Sequence, residues 1–173
     1  TPELQRMLWS SSLRGGCAPN ESPPLRFRDF FEVTRPVPVK GLPRESYRFS
    51  AGGIDVVLVR TSHVPDSARG WRDSAWSTAV LVDGRVLFTS DTRFDPELLA
   101  GFDKRFGLEA IFHDCQLFTG GVHASFEELR TLPLRLRRKI VLLHYGDSWE
   151  SVEPKVKPAG FLALGRQHVV YRF

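Results

Sequence analysis

Cysteine is scarce in this chain. Cys17 and Cys115 are its only two among 173 residues, and they form no Cys-x-x-Cys pair. That excludes a zinc ribbon and a disulfide-stapled scaffold. Two reduced thiols suit a cytoplasmic protein. No apolar run reaches the ~20 residues that cross a bilayer, so no membrane partner is expected. The opening residues do not read as a secretory signal. Repeats and low-complexity tracts are absent. Excess charge is small, at +4, and favours an anionic substrate only weakly. The densest basic run, Arg135-Leu136-Arg137-Arg138-Lys139, is too short for a nucleic-acid-binding stripe. It reads as a solvated loop or helix end.

What is present is ordinary globular material, 42% hydrophobic and 25% charged, in a length that suits one domain with a core. A single domain over 1–173 is expected. Thr1 can cap a helix, Pro2 suits its first turn, and Leu4, Met7 and Leu8 share a face. The spacing predicts a helix over 2–14 that ends at Gly15-Gly16. A chain that opens at a helix cap, with no Met, is expected to follow a further N-terminal segment. Residues 17–46 hold Pro19, Pro23, Pro24, Pro36, Pro38 and Pro43, which forbid long helices and central strands. Phe27, Phe30 and Phe31 within that stretch predict packing, as a flap or an interface.

Residues 47–60 predict one or two strands with a Gly52-Gly53 turn. Trp76–Val82 and Arg85–Ser90 flank Asp83-Gly84, the signature of a hairpin with a type I′ turn. Asp95-Pro96 opens a helix, Leu108–Phe112 predicts a buried strand, and Ser125-Phe126-Glu127-Glu128 fits a capping box. Lys139–Leu143 and His168–Phe173 predict the last two strands. Alternating strands and helices give an α/β fold with sheet inside and helices outside.

Three apolar runs each lead to a metal-binding residue. Ile54–Val59 leads to His63, Val86–Ser90 to Asp91, and Ile140–Leu143 to His144. Taken singly, His63 reads as a surface histidine, Asp91 as a turn aspartate and His144 as a satisfied core histidine. Taken together, three ligand types at three strand ends point to one site for zinc or a similar ion. Beside them stand His113-Asp114, at a fourth strand end, and His123, just before a helix N-terminus. Free N–H groups at such a terminus suit a phosphate, with His123 as proton donor.

The order His63, Asp91, His144, each after a strand, resembles the last three metal ligands of the metallo-β-lactamase superfamily. His113-Asp114-Cys115-Gln116, His123-Ala124-Ser125 and Leu142-Leu143-His144-Tyr145 are similar to segments of its ribonuclease Z-like branch. The wording from Ile111 to Asp147 resembles small bacterial and phage phosphodiesterases that cleave cyclic nucleotides, the anti-Pycsar type. The resemblance covers the later two thirds of that αββα sandwich. The superfamily's His-x-His-x-Asp-His motif is absent here.

The resemblance implies two zinc ions, with manganese as an alternative, and a bridging hydroxide that attacks phosphorus. His63 would bind the first ion and His144 the second, and Asp91 would bridge them. His123, supported by Asp114, would protonate the leaving oxygen. Asp114 stands where ribonuclease Z has Glu. His113 would support a ligand or be structural, Asp66 and Ser67 would orient His63 or touch substrate, and Asp147 would do the same for His144. Tyr145, Phe118, Trp71 and Trp149 are candidates to stack on a base. The implied partners are a small nucleotide and either a second copy, as a homodimer, or a complementing N-terminal segment. The competing expectations are an RNA 3′-processing endonuclease and a non-catalytic half-domain that binds a partner. No glycine-rich basic arm of the kind that grips tRNA is seen.

Overall fold

A computed structural model describes residues 2–173, so the Thr1 cap lies outside the described residues. The chain divides into two compact units, the first ending at Pro36 and the second running Val37–Phe173.

In the first unit, α1 (Pro2–Leu8) runs through a π-helical turn (Trp9–Leu13) into α2 (Arg14–Cys17). The helix therefore continues through Gly15 and Gly16, where the sequence predicted its end. Both glycines are tolerable at about 1 kcal/mol each, and the Ala18 N–H closes the last turn on the Arg14 carbonyl at 3.0 Å. The proline-rich stretch that follows holds one helical turn, α3 (Phe27–Phe30). Trp9 meets Phe27 edge-on at 6.0 Å between centroids, and Phe27 lies 4.8 Å from Phe31.

The second unit is built on one sheet whose spatial order follows the sequence. Its strands are β1 (Val37–Pro38), β2 (Ser46–Ala51), β3 (Ile54–Thr61), β4 (Ser77–Val82) and β5 (Val86–Phe88). The next are β6 (Ala110–Asp114), β7 (Ile140–Leu143) and β8 (Ala163–Leu164). Pro38 is accommodated because β1 is an edge strand. Strands β1 to β5 pair antiparallel and β5 to β8 parallel. The parallel crossovers carry α4 (Pro96–Phe106), then α5 (Phe126–Arg130) and α6 (Leu134–Arg137), then α7 (Glu153–Val156).

The predicted hairpin forms, with Asp83 at φ 49° and Gly84 at φ 67°, as a type I′ turn requires. The predicted capping box forms too: Ser125 Oγ accepts from the Glu128 N–H and Glu128 accepts from the Ser125 N–H. Asp95 caps α4 by accepting from the Leu98 N–H at 3.0 Å. One strand is misplaced. Residues 168–173 form no ladder; the last strand is Ala163–Leu164 instead. Tyr171 and Phe173 stack on each other and pack edge-on against Phe112, and Arg85 donates to the Phe173 carbonyl at 3.1 Å, so rings and a side-chain bond hold this tail without a ladder.

Helices line one face of the sheet. Leu81, Leu87, Ile111, Ile140 and Leu142 pack there with Leu99, Phe102, Leu129 and Leu136 in a continuous core. The other face carries Leu58, Val80, Phe88 and Phe112, which pairing sets side by side. Phe88 is 43% exposed and the other three are half-buried.

Cys115 lies in the core, and burial pushes its thiol up to about 12. Cys17 is only half-buried. We expect native protein to consume one equivalent of a thiol reagent such as DTNB quickly, at Cys17. Unfolding in guanidinium should release the second.

Candidate functional site

Strand direction gathers the site. β3, β5, β6 and β7 all run the same way, so their carboxyl ends meet at one sheet edge. Open α/β sheets bind ligands at such an edge. His63 follows β3, Asp91 follows β5, Asp114 ends β6 and His144 follows β7. His123 arrives from the loop before α5. All five residues named in advance as catalytic or metal-binding thus come together.

The backbone is strained where it turns into the site. Ser90 and His144 hold left-handed φ values of 52° and 57° without being glycine. Such positions cost on the order of 1–3 kcal/mol and persist only when their surroundings fix them.

The three imidazoles form a row with His123 at its centre. Its ring lies 4.8 Å from that of His63 and 4.9 Å from that of His144. Asp114 anchors two of them. Its side chain is 1% exposed, with Oδ2 2.7 Å from His123 Nδ1 and Oδ1 3.0 Å from His144 Nδ1. The Thr92 N–H donates to Oδ2 at 3.0 Å. A carboxylate only accepts, so each ring carries a proton on Nδ1. His63 Nδ1 is likewise the donor, to the Val122 carbonyl at 3.0 Å.

Asp91 stands between the outer rings and is half exposed. Its Oδ2 is 3.9 Å from His63 Nε2 and its Oδ1 is 3.4 Å from His144 Nδ1. His63 Nε2 and Asp91 Oδ2 thus face each other beyond hydrogen-bond reach. Two donors on one tetrahedral zinc ion, each about 2.1 Å away, would stand about 3.4 Å apart. Two sets here could hold an ion: His63, Asp91 and His123, and Asp114, His123 and His144. Imidazole with carboxylate is a donor set that zinc accepts.

The remaining predicted residues scatter. His113 is buried, and burial pushes its pKa down, keeping the ring neutral; its Nδ1 donates to the Asp114 carbonyl at 2.6 Å. Asp66 and Asp147 make no hydrogen bond to His63 or His144 among the described residues. Trp149 lies 6.3 Å from Tyr145, with the Arg166 guanidinium 4.2 Å above its ring. Phe118 is 69% exposed. Trp71 lies under Arg72 at 4.2 Å.

Two arginines that the sequence reading passed over hold the loop after β3. Arg60 donates to the carbonyls of Trp71 at 2.8 Å and Ser74 at 3.2 Å. Arg93 donates to those of His63, Pro65, Asp66 and Ala68. No spacing rule reveals donors to main-chain carbonyls so far away in sequence. An arginine two residues after a candidate ligand was the available signal.

The family model described as Anti-Pycsar protein Apyc1 matches residues 1–171. A protein of that name from Paenibacillus harenae is 38% identical over 142 residues, covering 82% of this chain and 52% of the relative. Its namesake from Bacillus phage vB_BsuM-Goe3 is 34% identical over 173 residues, 96% of this chain and 63% of the relative. The chain therefore spans between about half and two thirds of the length of these curated relatives.

Proposed function

The chain belongs to the anti-Pycsar Apyc1 family, and from that premise we propose that it serves a metal-dependent phosphodiesterase that hydrolyses a cyclic nucleotide. The observation that carries the reading is the convergence of three imidazoles and two carboxylates on one sheet edge. The fold we propose is the metallo-β-lactamase sandwich. The half-buried apolar face bearing Leu58, Val80, Phe88 and Phe112 supports it, since a second sheet covers such a face in a sandwich.

His63 and His144 would hold zinc, or manganese, with Asp91 shared between them. When bound, such ions supply Lewis acidity and charge neutralisation at phosphorus. The chain's own groups do the rest. Asp91, with one oxygen toward each outer ring, keeps negative charge at the centre of the site. His123 is held by Asp114 through Nδ1, which leaves Nε2 to face substrate in this reading. Protonated there, it gives its proton to the oxygen that leaves when one P–O bond of the cyclic ester breaks. Water supplies the new P–O bond, and its proton restores the ring. The neutral His113 takes no part, because it lies buried in the core.

Zinc titration by calorimetry, with hydrolysis of bis(p-nitrophenyl) phosphate and a panel of cyclic mononucleotides, tests this. Uptake of zinc and cleavage of a cyclic mononucleotide are expected. Chelation by EDTA should abolish cleavage, and zinc or manganese should restore it. Absence of both uptake and cleavage would refute the reading. Cleavage of a tRNA precursor with cyclic nucleotides untouched would move the substrate to RNA.

A further inference from the structure

We propose that Arg93 is a positioning residue that sets the His63 imidazole against Asp91 by clamping the loop 63–68. The inference rests on reading His63 as a site residue. Four of the six carbonyls in that loop bond to this one guanidinium. Nε donates to the His63 carbonyl at 3.1 Å and Nη1 to that of Ala68 at 2.8 Å. Nη2 donates to the Pro65 carbonyl at 3.0 Å, to the Asp66 carbonyl and to Asp66 Oδ1 at 3.1 Å. The Arg93 backbone N–H adds a bond to the Ser62 carbonyl at 2.8 Å. Thr92 Oγ1 donates to the same Ser62 carbonyl at 3.1 Å.

Besides these bonds the loop has one turn, closed by the Ala68 N–H on the Pro65 carbonyl at 3.0 Å, and one bond from the Ala75 N–H to the Val64 carbonyl at 2.7 Å. It has no helix or strand over 63–68, and Val64, Pro65, Asp66 and Ser67 are exposed. The Asp66 carboxylate is 79% exposed, so its ion pair with Arg93 is a weak part of the clamp. The carbonyl bonds carry it. Only a rigid five-donor fork can reach four carbonyls at once; a lysine ammonium has three donors on a flexible stem.

The position of Arg93 matters as much as its reach. It stands two residues after Asp91, in the same turn. Thr92, between them, bonds Asp114 through its N–H. The segment 91–93 therefore touches the His63 loop, Asp91 itself and the carboxylate under His123 and His144. Whatever moves Arg93 changes the 3.9 Å gap between His63 Nε2 and Asp91 Oδ2.

Long-range ¹H–¹⁵N NMR of the histidine rings in metal-free protein tests the clamp. In the native protein His63 should show one tautomer, protonated on Nδ1. In Arg93→Met it should become a mixture, with His123 and His144 unchanged and the amide spectrum still folded. Arg93→Lys should fall between the two. Zinc affinity should drop roughly 10–100-fold in Arg93→Met, the range for loss of a group that orients a ligand. An unchanged His63 tautomer in both variants would overturn the proposal. If Arg93→Met does not fold, Arg93→Lys decides. Unfolding of both overturns it too, since Arg93 would then hold the whole fold and not one loop. Failure of native protein to bind zinc would refute the metal reading, while the ring spectra still decide the clamp.

Discussion

Asp114→Ala should lower both stability and ion affinity. The side chain is 1% exposed and accepts from three donors. Thr92 is 1% exposed, so removal of its acceptor leaves a buried N–H unpaired. That costs about 1–3 kcal/mol. The rings of His123 and His144 are freer, with side chains 25% and 54% exposed, and can turn toward water. Their cost appears elsewhere. Each loses the partner that fixes its proton on Nδ1 and the orientation of its ring. Loss of one such partner lowers metal affinity by roughly 10–100-fold, and here one substitution removes two. Chemical denaturation and zinc calorimetry on the same preparation check both halves. A variant with unchanged midpoint and unchanged zinc affinity would refute the placement of Asp114 beneath both rings.

Asp91→Ala should give the opposite signature: native stability with ion binding gone. The same residue type sits 51% exposed at the rim. Its main-chain carbonyl, not its carboxylate, accepts from Ser77 Oγ at 2.9 Å. Truncation therefore leaves no buried group unpaired, and stability should stay within ~0.5 kcal/mol. Its two oxygens each face a different imidazole, so the variant loses a donor and not an orienting partner. The drop in zinc affinity should exceed the roughly 100-fold upper range for orienting groups. Retention of zinc binding would show that the ion rests on Asp114, His123 and His144 instead. Measured together, the two aspartates separate holding an ion from holding the residues that hold it.

The parts of this molecule legible in the sequence are those fixed by neighbours. The Asp83-Gly84 turn, the Ser125 capping box and the Asp95 cap depend on residues within four positions, and all three form. The strand ends at His63, Asp91 and His144 were legible because apolar runs mark strands. Their convergence follows from strand direction: two antiparallel reversals return β5 to the direction of β3, and helical crossovers keep β6 and β7 parallel to it. What depends on distant partners was not legible. Val169, Val170 and Tyr171 have strand-like side chains, but β-propensity measures fit to a pleated, half-buried surface. Val170 is 80% exposed, so it meets no such surface. Ala163-Leu164 forms β8 because the Leu162 and Gly165 N–H groups reach the carbonyls of Ile140 and Leu142. The double role of Asp114 was half visible. Its support of His123 was expected from the motif; its bond to His144, 30 residues on, was not.

The strand order has a consequence for how the chain assembles. Each strand lies beside the one made just before it, from β1 to β8. No strand has to slip between two that are already joined, so each new strand closes a single connection, and the entropic cost of closure rises only slowly with the length of that connection. The sheet can lengthen one ribbon at a time as the polypeptide leaves the ribosome. The cleft is finished late: the carboxylate of Asp114 waits for His144 until the seventh of eight strands arrives.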